Sequence, residues 1–366
     1  MITSMHIENF KCFKDFDIEL GPFNVLIGPN DSGKTAFLQA VRMVSGVTPK
    51  EIISMESLSQ RLGFWLSHMS VWMQDPAAEI AIKAVARGGG MRSMAFSLRS
   101  RSDAHVLADV DDPAEIAAQT GDWKARCHRK CIGEAGCYRF DPEALRLPSL
   151  LKTEMKTTGE GLATFIDDLN RLEDRSHFTE LSEKFRERFP HYTVIRIDKA
   201  EVMVPRDPVK PTTGTIQRIP RDAFVLNFRT SRNGVISAQD VSDGLMVSLA
   251  FMAIGHSPHP PNILLIEEPE NHVHHASLKD IVATLKQLSE DKGVQVILTT
   301  HSPYLLDQVE PEEVHVFHKD DEGAVHTARL SDHPEVEGLK KHFMTGEIWT
   351  GFESDEDIVK KAGTFE

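Results

Sequence analysis

The sequence lacks any uninterrupted apolar run of membrane-spanning length, which excludes an integral membrane helix. It also lacks the basic stretch and apolar run of a leader peptide. Met1-Ile2-Thr3-Ser4-Met5-His6 already reads as the start of a folded strand, so no secretion signal is expected and the chain is read as cytoplasmic. Cysteine is sparse, with four residues among 366. Cys127, Cys131 and Cys137 are spaced C-x3-C-x5-C beside His128, without the paired C-x2-C knuckles of a zinc site; reduced thiols are the simpler reading and metal the alternative. Positive charge is in deficit, 41 Lys and Arg against 55 Asp and Glu, for a net charge of −14. Such a field repels phosphate, so nucleic acid could be held only by a local basic patch, such as Arg126 to Lys130 or Lys210 to Arg221. Each patch alone reads more simply as a solvated loop. Heptads, repeats and low-complexity segments are missing too, which excludes long coiled-coil arms and solenoids.

What remains is an ordinary globular composition, 40% hydrophobic and 26% charged, on a chain long enough for one large α/β unit with an inserted lobe. Alternating residues from 5 to 10 and 16 to 20 predict strands, and the apolar Phe23-Asn24-Val25-Leu26-Ile27 predicts a buried one. Phe37, Leu38, Val41 and Val44 predict a helix beginning near Gly33. Residues 78–87 and 91–99 flank Gly88-Gly89-Gly90 as an antiparallel hairpin. From about 105 to 215 the chain is polar and helical in character, the expected inserted lobe. Beyond 262, strand, amphipathic helix and strand alternate, which implies a largely parallel sheet, followed by a hairpin across Asp320-Asp321-Glu322-Gly323. The expected divisions are 1–104, 105–258 ending in a motif discussed below, 259–335, and a mixed tail, 336–366.

Four elements carry chemistry. Gly28-Pro29-Asn30-Asp31-Ser32-Gly33-Lys34-Thr35 is a full G-x4-G-K-[ST] loop between a strand and a helix. Its glycines let the N–H groups of Asn30, Asp31, Ser32 and Gly33 curl around phosphate, Lys34 reaches the β- and γ-phosphates, and the Thr35 hydroxyl ligates Mg²⁺. Ile263-Leu264-Leu265-Ile266-Glu267-Glu268 ends a buried strand in two carboxylates, where an open α/β sheet presents its ligand crevice. A Glu pair alone would read as solvated surface; the apolar run before it reverses that. Glu267 is the expected metal carboxylate, standing where Asp is commoner, and Glu268 the group that orients or deprotonates water. Ser242-Asp243-Gly244 opens an apolar helix, by itself an unremarkable cap. His301 follows the strand 294–298, where a lone histidine would usually be structural.

In this order the four elements resemble the ABC ATPase class, and the long stretch between Thr35 and Ser242 resembles its DNA-associated branch with SMC and RecF proteins. Ile7-Glu8-Asn9-Phe10-Lys11-Cys12-Phe13, Tyr138-Arg139-Phe140-Asp141-Pro142-Glu143, Gly159-Glu160-Gly161-Leu162 and Glu268-Pro269-Glu270-Asn271-His272-Val273-His274 look like the OLD-type ATPases. The resemblance implies a P-loop ABC-type head with a mixed sheet, an antiparallel β-subdomain and an inserted mainly helical lobe, using ATP and Mg²⁺. It implies a homodimer in which Ser242 and Gly244 of one copy serve ATP on the partner's Lys34, His301 senses the γ-phosphate, Asn271 and His272 line the seam, and the Phe10–Phe13 loop touches adenine. Metal binding by His272, His274 and His275 is the alternative for that segment. The Q-loop residue is open, Gln74 being one candidate. Many OLD proteins carry a Toprim nuclease for which the stretch after His301 offers no room, and Asp355-Glu356-Asp357 reads as solvated surface. The expected role is therefore an ATP-driven switch in antiphage defence or DNA processing, controlling a separately encoded effector such as a nuclease, with DNA a candidate ligand and no membrane partner. Competing readings are a RecF-like repair clamp, a transporter subunit and a non-hydrolysing scaffold.

Overall fold

The computed structural model describes residues 1–47, 52–54, 57, 80–87, 94–100, 105–111, 128, 132–205 and 218–363. They form two compact units, the first comprising 1–137, 261–270 and 285–366, the second 138–260 and 271–284.

The alternating start of the chain folds in the first unit as β1 (Ile2–Phe10) and β2 (Phe13–Glu19), antiparallel from Ser4↔Glu19 to Phe10↔Phe13. The other edge of β1 pairs with β5 (Ile80–Ala86), and the sheet runs β2-β1-β5-β6-β7-β4, with β4 Ile52–Ser54, β6 Met94–Ser100 and β7 His105–Asp111. The expected hairpin around the triple glycine is β5–β6, in register from Ile80↔Ser100 to Ala86↔Met94. Residues 105–111 belong to this antiparallel sheet and not to the inserted lobe, a correction to the boundary at 105.

The second sheet of this unit positions the site. Its order is β16-β15-β3-β14-β13-β8: β3 Phe23–Ile27, β8 Ala135–Tyr138, β13 Ile263–Glu267, β14 Gln295–Thr299, β15 Val314–Lys319 and β16 Val325–Arg329. β13, β14, β3 and β15 are parallel, and β16 turns back antiparallel, making the sheet mixed. Every residue of β3 and β14 is buried, as continuous apolar runs demand in a parallel sheet covered on both faces. The helix Lys34–Gly46 buries Phe37, Leu38, Val41 and Val44. Phe16 stacks at 4.5 Å on Phe13, 6.1 Å on Phe37 and 5.6 Å on Phe317, and burial of each ring contributes about 2 kcal/mol.

The second unit is mixed where a mainly helical lobe was expected. The helices Leu162–Arg171 and Ser176–Arg188 lie in the predicted helical stretch. After them come β10 (Tyr192–Pro205) and β11 (Arg218–Thr230), a long hairpin in register from Tyr192↔Thr230 to Pro205↔Arg218, with β9 (Ser149–Leu150) and β12 (Val235–Ser237) on β11. The hairpin buries Ile195, Phe224, Leu226 and Phe228 near its base, whereas Met203 is 54% exposed. With solvent along much of its length, it lacks the apolar alternation that announces a strand. The helix Asp243–Gly255 is buried throughout from Leu245 to Ile254, as an all-apolar helix must be. Among the described residues no helix is long and apolar enough to cross a membrane.

Candidate functional site

β3 delivers the chain into the glycine loop with two backbone demands. Gly28 has φ 149°, and a Cβ there would stand 2.2 Å from the Phe317 carbonyl oxygen of β15; Gly33 has φ 98° and caps the helix Lys34–Gly46. Both positions require glycine. Pro29, Asn30, Asp31 and Thr35 are exposed, while Ser32 and Gly33 are buried. Lys34 is buried and its ammonium donates to the carbonyls of Gly28 at 2.8 Å and Pro29 at 2.7 Å, and to Ser32 Oγ at 3.3 Å. Burial pulls this ammonium down to about 8, against the support of Glu268 and Asp355. Asp31 pairs with Lys319 at 2.7 Å, which ties the loop to β15.

The carboxyl ends of β13 and β14 lie side by side, Glu267 opposite Thr299. Glu268 follows with φ 48°, a left-handed conformation that costs a non-glycine residue about 1–2 kcal/mol. Its N–H donates to the Thr299 carbonyl at 3.0 Å, and its carboxylate stands 3.7 Å from His301 Nε2. Strain at a carboxylate beside a histidine is what a positioned acid–base group shows. Glu270, given no role from sequence, holds this arrangement: its Oε1 accepts from Thr300 Oγ1 at 2.7 Å and from the His301 N–H at 2.9 Å. The first unit thus brings together Asn30 to Thr35, Glu267, Glu268 and His301.

Ser242 and Gly244 lie in the second unit. Ser242 caps the helix Asp243–Gly255, its hydroxyl accepting from the Leu245 N–H at 3.4 Å. Asp243 is gripped by the buried Arg146 guanidinium at 2.5 Å and lies 3.6 Å from His272 Nδ1. The same guanidinium donates to the carbonyls of Val241 at 2.8 Å and Ala238 at 3.1 Å. Arg146 therefore sets the loop before the helix, and the carbonyls it holds there lie more than 90 positions away, beyond any local sequence pattern. Arg146→Ala, which strands those acceptors, is expected to lower unfolding stability by about 2–3 kcal/mol in urea titration, with Arg146→Lys recovering only part because it lacks the planar fork.

One expectation is narrowed and another corrected. The phenyl rings of Phe10 and Phe13 are fully buried, so neither side chain is available to adenine; Lys11 and Cys12 are the partly accessible members of that turn. Asp355 is half-buried, and its carboxyl is pushed up by burial and opposed by a hydrogen bond from Trp349 and by the charges of His318, Lys34 and His301. Glu356 and Asp357, also only partly exposed, pair with Lys360 and Lys361. Gln74, Cys127, Cys131 and the basic stretches 126–127, 129–130 and 210–217 lie outside the described residues. Burial raises the Cys137 thiol to about 11, and His128 donates to the Val44 carbonyl. His274 and His275 stack at 4.0 Å.

Comparisons with known proteins agree with this architecture. The family described as "AAA domain, putative AbiEii toxin, Type IV TA system" matches residues 92–307, and a second, "AAA ATPase domain", matches 1–74. A protein of Thermus scotoductus named OLD nuclease is 22% identical over 94% of this chain and 68% of its own length. Among solved structures, an Smc head bound to the C-terminal winged-helix domain of ScpA superposes with TM-score 0.59 at 15% identity, covering 90% of this chain and 98% of that one. An Smc head with an extended coiled coil, bound to the C-terminal domain of ScpA derived from Pyrococcus furiosus, gives 0.53 at 14%, covering 93% and 99%. The fold is that of an ABC/SMC-type P-loop head with an antiparallel subdomain, and the sequence is OLD-nuclease-like.

Proposed function

The chain belongs to the AAA-domain family of AbiEii-toxin type, and on that premise we propose that it is an ATP-hydrolysing switch acting as a dimer of heads. The observation that carries the reading is Glu268, held at φ 48° with its carboxylate 3.7 Å from His301, at the strand ends of the sheet whose β3 runs into the glycine loop. In the bound complex the loop N–H groups and Lys34 hold the phosphates, His301 meets the γ-phosphate, and Glu268 orients water and accepts its proton. Lys34 is buried among carbonyls, where a cation is weakly solvated and its attraction for phosphate correspondingly strong.

The residues also fit Mg²⁺. Thr35 is exposed at the start of its helix, Glu267 ends β13 at the same edge of the sheet, and both offer hard oxygen donors. Glu270 Oε2 is buried with no hydrogen-bond partner among the described residues, leaving an acceptor for a bound water or ion. Mg²⁺ held by Thr35 and Glu267 would neutralise charge on the β- and γ-phosphates.

Ser242 and Gly244 lie at a helix N-terminus, where backbone N–H groups and the helix dipole favour an anion. In the proposed sandwich they close over ATP on the second copy's Lys34, with Asn271 and His272 along the seam. A separately encoded effector, a nuclease being the first candidate, reads the closed state in the cytoplasm, in antiphage defence or DNA processing, and DNA is the first candidate trigger. The test is phosphate release from Mg-ATP by the purified chain, with and without double-stranded DNA. Turnover above that of a Lys34→Ala variant is expected, and its absence in every condition would sink the proposal.

A further inference from the structure

Residues 344–361 pack against elements that frame the nucleotide site, and their anchoring is specific. Thr345 Oγ1 donates to the Val309 carbonyl at 2.6 Å, and the Gly346 N–H donates to Asp307 Oδ1 at 2.9 Å. A Cβ on Gly346 would stand 2.2 Å from the Pro303 carbonyl oxygen, so the helix Thr345–Gly351 lies directly on the helix Pro303–Leu306 that follows His301. The next helix, Asp355–Lys361, buries Ile358 and Val359 and packs on the β15–β16 hairpin. That hairpin forms one wall of the glycine loop, through Phe317 against Gly28 and Val325 against Gly33. Between the two helices Trp349 Nε1 donates to Asp355 Oδ1 at 2.8 Å. The charges of His318, Lys34 and His301 act on the carboxylate so clamped, and it joins Glu268 in acting on the Lys34 ammonium. An acidic first turn ordinarily complements the helix dipole, which accounts for Glu356 and Asp357 with their lysine partners. It does not account for Asp355, whose carboxylate accepts from Trp349 and acts on Lys34, a group that would meet the γ-phosphate.

We propose that Asp355 is a specificity-determining residue of the nucleotide site: clamped by Trp349 at the start of the helix that packs on the hairpin walling the glycine loop, it opposes the γ-phosphate and so sets the balance between tri- and diphosphate binding. The inference rests on the P-loop reading above. ADP lacks the γ-phosphate that Lys34 and His301 would meet; its β-phosphate keeps Lys34 and the loop N–H groups, so the carboxylate is expected to act less on ADP than on ATP. A fixed like charge near a partly screened phosphate changes affinity by about tenfold.

The test is equilibrium fluorescence titration of the full chain with mant-ATP and mant-ADP in Mg²⁺. Asp355→Asn, which keeps the size and the Trp349 hydrogen bond, is expected to tighten mant-ATP about five- to tenfold and mant-ADP less than about twofold. Trp349→Phe, which frees the carboxylate, is expected to move the ratio in the same direction by a smaller factor. Thermal melts of each variant check folding. An unchanged ATP-to-ADP affinity ratio in a folded Asp355→Asn chain, or weaker mant-ATP binding, would overturn this inference alone. A folded wild-type chain that binds neither nucleotide would instead overturn the P-loop reading on which it rests.

Discussion

Glu268→Gln is expected to lower phosphate release from Mg-ATP at least about a hundredfold without weakening ATP binding. The substitution removes the proton acceptor and, with it, one of the two negative charges that act on Lys34, while keeping the shape of the side chain. Glutamine keeps the length of the side chain, can still reach His301, and is no worse than glutamate at φ 48°, so the cost of the left-handed backbone is unchanged. The Thr299 carbonyl still accepts the backbone N–H, because that bond does not involve the side chain. A loss confined to turnover therefore assigns Glu268 to the chemical step. A matching loss of affinity would show instead that the carboxylate serves binding. Single-turnover phosphate release together with a nucleotide titration separates the two.

Lys34→Ala is expected to weaken ATP binding about a hundredfold or more. The ammonium is buried, so a phosphate that takes over its hydrogen bonds from the Gly28 and Pro29 carbonyls meets a cation with little competing water. Although burial lowers it to about 8, the group remains mostly charged at pH 7. Arginine is not a substitute, because its planar fork is too large for a pocket formed by two carbonyls and a serine hydroxyl. Lys34→Arg should thus bind nearly as poorly as Lys34→Ala. The measurement is calorimetric titration with ATP, with thermal melts as the check that both variants are folded.

How much of this was legible in the sequence depended on how local the signal is. The glycine loop, the strand ending in Glu267 and the two expected hairpins are encoded by neighbours within a few residues, and each folds where its pattern placed it. The hairpin Tyr192–Thr230 was missed because its outer half is solvated and its pairing supplies what the apolar pattern does not. Phe10 and Phe13 belong to a motif associated with adenine, yet the β1–β2 turn points both rings into the core with Phe16, Phe37 and Phe317. Arg146, Glu270 and Asp355 were illegible for a common reason. Each acts on a motif residue that is remote in sequence, and only the folded chain brings the two together. Arg146 and Glu270 hold motif residues in place by hydrogen bonds that span the chain.

The central claim is that two heads close on ATP, and light scattering of Glu268→Gln with and without Mg-ATP tests it most directly. With hydrolysis blocked the closed state should accumulate, so ATP is expected to double the molar mass while ADP leaves it unchanged, and a further Ser242→Arg substitution should abolish the doubling without weakening ATP binding. An unchanged mass at saturating, demonstrably bound ATP would contradict the account.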